Sequence, residues 1–177
     1  MSADAAGITR REFVGRAAAG VAAISTVRLA QAQAANERLG VGFVGAGGRA
    51  GAHMGMVQHL RDNESVAVDL VAVCDVYRPR REQRQKEFGM ARAYADYREL
   101  LADPDVNVVC IATPDHHHGH HALAAIRAGK DVYCEKPVTH WRQFELTREL
   151  AATAAASDRV IQVGTQVSIS DLLKGVI

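Results

Sequence analysis

The sequence predicts an α/β chain built on a doubly wound parallel sheet, and three observations carry that expectation. Apolar runs and helix-like segments alternate through most of its length. The first run, over 39–44, feeds straight into a glycine cluster and then a helical pattern. The second, Asp69-Leu-Val-Ala-Val-Cys-Asp75, ends in an acidic residue. Alternation at this spacing calls for parallel strands with helices on both faces, and for ligands at the carboxyl ends of the strands.

In order, strands are expected near 40–45, 68–74, 106–112, 131–134 and 159–163, with a short one around 91–94. Helices are expected over 49–60, 79–88, 97–102, 117–128 and 140–156. Residues 81–88 are polar, which suits a solvated helix. The alanines over 151–156 simply favour helix.

The glycine cluster carries the first chemistry. Gly45, Gly47 and Ala50 match the G-x-G-x-x-G/A fingerprint of a dinucleotide-binding turn, placed between a strand and a helix as that motif requires. Gly45 permits the tight turn, and Gly47 lets backbone approach a pyrophosphate. The small Ala50 lets the helix pack close to the sheet. The helix N-terminus then presents N–H groups and a positive dipole end to the phosphates. An acidic residue is expected at the end of the next strand, roughly 20 residues on or a little more, and Asp75 stands there. It would accept hydrogen bonds from an adenosine ribose, or else cap the helix starting near Pro79. NAD is therefore the expected cofactor. NADP is the alternative, since Arg78, Arg80 or Arg81 could hold a 2′-phosphate.

Composition narrows the classes. The 177 residues suit one domain with a short appendage, at 48% hydrophobic, 23% charged and net charge +1. No basic stripe interleaved with aromatics marks a nucleic-acid partner. Cys74, Cys110 and Cys134 each fall at or near a strand end, which suits buried free thiols and fits no zinc spacing.

Residues 1–34 read as a targeting segment. Thr9-Arg10-Arg11-Glu12-Phe13-Val14 precedes an apolar run over 17–27, too short to span a membrane. Ala30, Ala32 and Ala34 then offer A-x-A cleavage sites. The paired arginines resemble the twin-arginine export signal, with Gly15 at a position that is usually basic. Periplasmic or extracellular localisation follows as an expectation. That route carries folded proteins, so a cofactor scarce outside the cytoplasm would have to travel already bound.

Two further strand ends bear polar residues. In Cys110-Ile-Ala-Thr-Pro-Asp-His-His-His-Gly-His-His121, five histidines in six residues invite a metal reading. No cysteine or carboxylate pair completes a ligand set, so no metal is assigned. On a helix starting near His117, His117 and His121 share a face while His116, His118 and His120 point elsewhere. Thr113 and Pro114 turn the chain beside a nicotinamide, with some histidines at the substrate mouth. In Asp131-Val-Tyr-Cys-Glu-Lys-Pro-Val-Thr-His140, partial desolvation and a nearby pyridinium would ready Lys136 for proton transfer. Pro137 would rigidify that turn, through a cis bond if one forms.

Taken together, these motifs resemble the Gfo/Idh/MocA oxidoreductases. The matching segments are Gly45-Ala-Gly-Gly-Arg49, Asp75, Ala112-Thr-Pro-Asp-His116, Ala128-Gly-Lys-Asp-Val-Tyr-Cys-Glu-Lys-Pro137 and Val163-Gly-Thr-Gln166, spanning roughly 38–166. The resemblance implies a Rossmann-type NAD(P) domain over 35–166, with Gly48 and Arg49 in the cofactor turn. It implies Lys136 as the acid/base or substrate-orienting residue, fixed by Glu135 and Pro137, and Thr113, Pro114 and His116 bordering the nicotinamide. It also implies hydride transfer to or from a carbinol carbon of a sugar, cyclitol or related small molecule. Two alternatives are an NAD-dependent glycosidase of the same family and a non-catalytic nucleotide-binding module. The family's C-terminal α/β substrate domain is absent from this chain, and 167–177 strays from the family pattern. Binding without efficient turnover is the resulting expectation, with oligomerisation only through that second domain.

Overall fold

The computed structural model describes residues 38–165. The expected export signal and the tail over 167–177 lie outside the described residues. Six strands form one parallel sheet: β1 (Leu39–Val44), β2 (Val68–Cys74), β3 (Arg92–Tyr94), β4 (Val108–Ile111), β5 (Asp131–Glu135) and β6 (Ile161–Gly164). They are joined by α1 (Gly48–Asn63), α2 (Arg78–Phe88), α3 (Tyr97–Ala102), α4 (Asp115–Arg127) and α5 (Phe144–Ala155). The order β3-β2-β1-β4-β5-β6 is the doubly wound one. The winding reverses between β1 and β4, where such sheets open a crevice.

Strand alternation explains why both faces are apolar. In β1, Val41 and Phe43 point into the layer shared with α1, while Val44 joins the opposite layer of α3, α4 and α5. In β4, Cys110 faces the first layer and Val109 and Ile111 the second. Phe43, Met54 and Ile111 are fully buried, each worth about 1.5–3 kcal/mol of hydrophobic stabilisation. β5 follows the same rule: Val132 and Cys134 enter the α4 layer, so Tyr133 takes the α1 side. Glu135, two residues on, shares that side.

Helix α2 buries no residue, as its polar sequence implied. Two helices differ from expectation at their starts. Helix α4 begins at Asp115, because Pro114, held at φ −60°, is a ready-made N-cap backbone. Helix α5 begins at Phe144, because residues 138–143 form a turn in which the His140 N–H bonds the Gln143 side chain.

Candidate functional site

The chain leaves β1 through Gly45, whose φ of +95° lies in the left-handed region. A Cβ there would sit 2.6 Å from the Ala112 carbonyl oxygen, so the turn abuts the end of β4. Gly47 is the N-cap of α1, with extended backbone and no side-chain cap. A Cβ at Gly47 or Gly48 would meet nothing within 4 Å, so the space over this turn is open. The first turn of α1 carries no acidic residue to offset its positive end. Ala50 is buried beneath, in contact with the α1 layer.

Asp75 ties this turn to the next element. Its Oδ2 accepts the Ala46 N–H at 2.8 Å and its Oδ1 the Tyr77 N–H at 2.8 Å. Asp75 does not cap α2, whose N-cap is Tyr77 with no side-chain cap bond; it orders the turn, and since a carboxylate offers about four acceptor sites it retains capacity for a ligand hydroxyl. Arg80 Nη1 lies 4.0 Å from Oδ2, while Arg81 donates to the Asp75 carbonyl at 2.6 Å.

These groups open onto a cleft of about 970 Å³ at the carboxyl ends of the strands, within the size range of ligand sites. Of the residues singled out from the sequence, Gly45, Gly47, Gly48, Arg49, Asp75, Thr113 and Pro114 line it. His116 does not, a departure from the expectation set by resemblance. His117, His120 and His121 face the cleft instead, while the His116 carbonyl accepts a bond from Gln143 on the α5 side. His117 and His121 do share a face, their rings stacked at 5.6 Å. The His121 ring also lies 4.5 Å from that of Tyr97, with Nδ1 3.3 Å from Thr113 Oγ1. Burial first, and neighbouring imidazoles second, push His121 down to about 4. His117 is lowered for the same reasons. The His117 and His121 rings are thereby held in the neutral form near pH 7.

At the end of β5, Glu135 is 4% exposed. Its Oε1 accepts Arg49 Nε at 2.6 Å and meets His53 Nε2 at 2.8 Å, and its Oε2 accepts the Lys136 N–H at 3.2 Å. Burial alone would raise this carboxyl, but the bonds from Arg49 and His53 outweigh it and the net shift is downward. Tyr133 packs edge-on against His53 at 5.0 Å. A Cβ on Gly164 would come within 2.6 Å of Tyr133 Oη, so Gly164 lets the edge strand pass beside the Tyr133 hydroxyl without displacing it. The Lys136–Pro137 peptide is cis. Lys136 itself is exposed, so the described residues do not supply the desolvation expected for it. Glu135, Lys136 and Pro137 lie outside the cleft lining.

Three contributors were not legible in the sequence. His53 stands one turn after Arg49 on α1, an i, i+4 signal that gains meaning only once Glu135 is placed opposite. Arg84 lays its guanidinium against Gly51 of α1, 38 positions from the Ala46 carbonyl it approaches. His118, expected to point away, is buried between the turns that follow β4 and β5. The three cysteines are buried and free, and burial pushes each thiol up to about 12, which removes them as nucleophiles at neutral pH.

Comparison with known proteins fits this geometry. Residues 39–165 match the family model described as an oxidoreductase family with NAD-binding Rossmann fold, GFO_IDH_MocA. Inositol 2-dehydrogenase of Salmonella typhimurium is 35% identical over 127 residues, 70% of this chain and 31% of that protein. The chain thus spans about a third of the length of such relatives. Among solved structures, an NAD binding oxidoreductase from Klebsiella pneumoniae superposes with a TM-score of 0.64 at 34% identity, over 71% of this chain and 34% of that one. A levoglucosan dehydrogenase in complex with NADH gives a TM-score of 0.65 at 27% identity, over 72% and 35%. With its fingerprint turn, its strand order and this match over most of its length, the chain belongs to the Gfo/Idh/MocA oxidoreductase family and carries that family's NAD-binding Rossmann fold.

Proposed function

We propose that the cleft holds NAD and that the chain is the cofactor-binding part of an exported oxidoreductase acting on a carbinol of a sugar, cyclitol or related small molecule. The observation that carries this reading is the open cradle over Gly47 and Gly48, under an unopposed helix N-terminus and beside Asp75. Gly47 and Gly48 admit a pyrophosphate, and the α1 N-terminus offsets its charge. Asp75 accepts from a ribose hydroxyl while it holds Ala46 and Tyr77 in place. Thr113 and Pro114 border the nicotinamide end. Bound NAD supplies the hydride acceptor or donor. Lys136 takes or returns the hydroxyl proton at Nζ, and Glu135 fixes its backbone. NAD is preferred over NADP because Asp75 occupies the rim, with Arg80 as the cation that would favour the 2′-phosphate.

Support for export comes from the sequence alone, from Arg10-Arg11 and the apolar run and alanines behind it. An exported enzyme of this kind would carry its cofactor from the cytoplasm. The test is to purify the protein from the extracytoplasmic fraction, denature it and assay the supernatant for nucleotide. Release of about one NAD per chain is expected. Protein that is exported yet free of nucleotide would contradict the loaded-export reading, and retention in the cytoplasm with Arg10-Arg11 intact would contradict export.

A further inference from the structure

His118 sits in the first turn of α4 and is 2% exposed. Its Nε2 lies 2.7 Å from the Thr113 carbonyl oxygen and its Nδ1 2.7 Å from that of Pro137. One carbonyl belongs to the turn after β4, the other to the turn after β5. The imidazole therefore spans the two loops that the proposed function assigns to the nicotinamide end.

The chemistry of the partners fixes the role of the ring. A carbonyl oxygen only accepts, so each contact is a hydrogen bond only if the facing ring nitrogen carries hydrogen. A neutral imidazole has one N–H and would set a lone pair against the second oxygen at 2.7 Å. Two donors complete the bridge, and 2.7 Å is the short separation of charge-assisted N–H···O bonds.

We propose that His118 is a positioning residue, a doubly donating clamp that locks the Lys136-Pro137 turn to the Thr113-Pro114 turn and so sets where Lys136 meets the nicotinamide end of the cleft. Its consequence for the cofactor rests on the proposed NAD reading, whereas the clamp itself does not. Without the bridge, the Lys136-Pro137 turn loses its hydrogen bond to α4 while the glycine turn and Asp75 are untouched. The effect should therefore fall on the nicotinamide half of the ligand and spare the ADP half.

Two measurements test this on the whole chain. In the first, the unmodified protein is labelled with 15N-histidine and the His118 ring nitrogens are observed at neutral pH. Two protonated nitrogens are expected; one protonated and one bare nitrogen would overturn the clamp. In the second, NAD and ADP-ribose affinities are measured for the native chain and for His118→Phe. The variant should lose about tenfold in NAD affinity, as expected when charge-assisted bonds are removed, and keep its ADP-ribose affinity. Equal loss of both ligands, or loss of neither, would overturn the positioning role. Failure of the native chain to bind either ligand would instead strike the proposed function, leaving the ring-nitrogen result to judge the clamp. Should His118→Phe not fold, that same result still decides.

Discussion

Glu135 and Arg49 lie 86 positions apart in the chain, yet Oε1 of one stands 2.6 Å from Nε of the other. The pair ties the end of β5 to the first turn of α1, and through Oε2 it also holds the Lys136 N–H. One buried carboxylate thus joins the residue of the proposed proton transfer to the helix of the proposed phosphate site.

Replacing Glu135 by Gln should therefore loosen both ends. Arg49 is partly exposed and can regain water, so the expected cost is about 1–2 kcal/mol rather than that of a fully buried pair. Urea denaturation should show the midpoint falling with an unchanged slope. An unchanged midpoint would mean the pair contributes no net stability.

The neutral His121 ring makes a prediction about acid. Its folded value is about 4 against an ordinary 6.5, so in this window the unfolded chain binds more protons than the folded one. Stability then falls as pH drops from about 6.5 toward 4 and gains nothing further from this residue above 6.5. Glu135, also depressed, acts in a lower window, below its ordinary 4.5. From pH 7 to 4 the melting temperature of the native chain should fall more steeply than that of His121→Leu. Parallel curves would show that His121 does not drive the acid sensitivity.

How much of this was legible beforehand differs by element. The strand, glycines, helix, strand and Asp75 are local in sequence, and each is dictated by a steric or electrostatic need, so the fold and the open glycine turn could be read directly. The histidine run was read less well. Spacing alone put His117 and His121 on one face, as they are, but could not show that His118 is buried between the turns after β4 and β5, and His116 was set at the cleft by resemblance only. His53, and the meeting of Arg49 and His53 with Glu135, were out of reach for another reason. Periodicity tells which face of α1 is buried, but the strand end opposite depends on the winding of the whole sheet.

Asp75 holds two backbone N–H groups and faces the cleft, so its replacement should act on two levels. Asp75→Ala should weaken both cofactors through the loosened turn, and NAD more than NADP because the ribose acceptor is lost. A difference of about 1–2 kcal/mol, or roughly tenfold in relative Kd, is expected from titration calorimetry. Equal losses would assign Asp75 to the turn alone.

The central claim is that the pyrophosphate of NAD lies over Gly47, and calorimetric titration of NAD into the native chain and Gly47→Val tests it most directly. The position has φ −70° and an added Cβ would meet no protein atom within 4 Å, so the variant should fold with a nearly unchanged melting temperature. The account predicts that it loses NAD affinity by about 100-fold or more, equivalent to about 2.7 kcal/mol. A folded Gly47→Val chain that binds NAD as tightly as the native protein would contradict it.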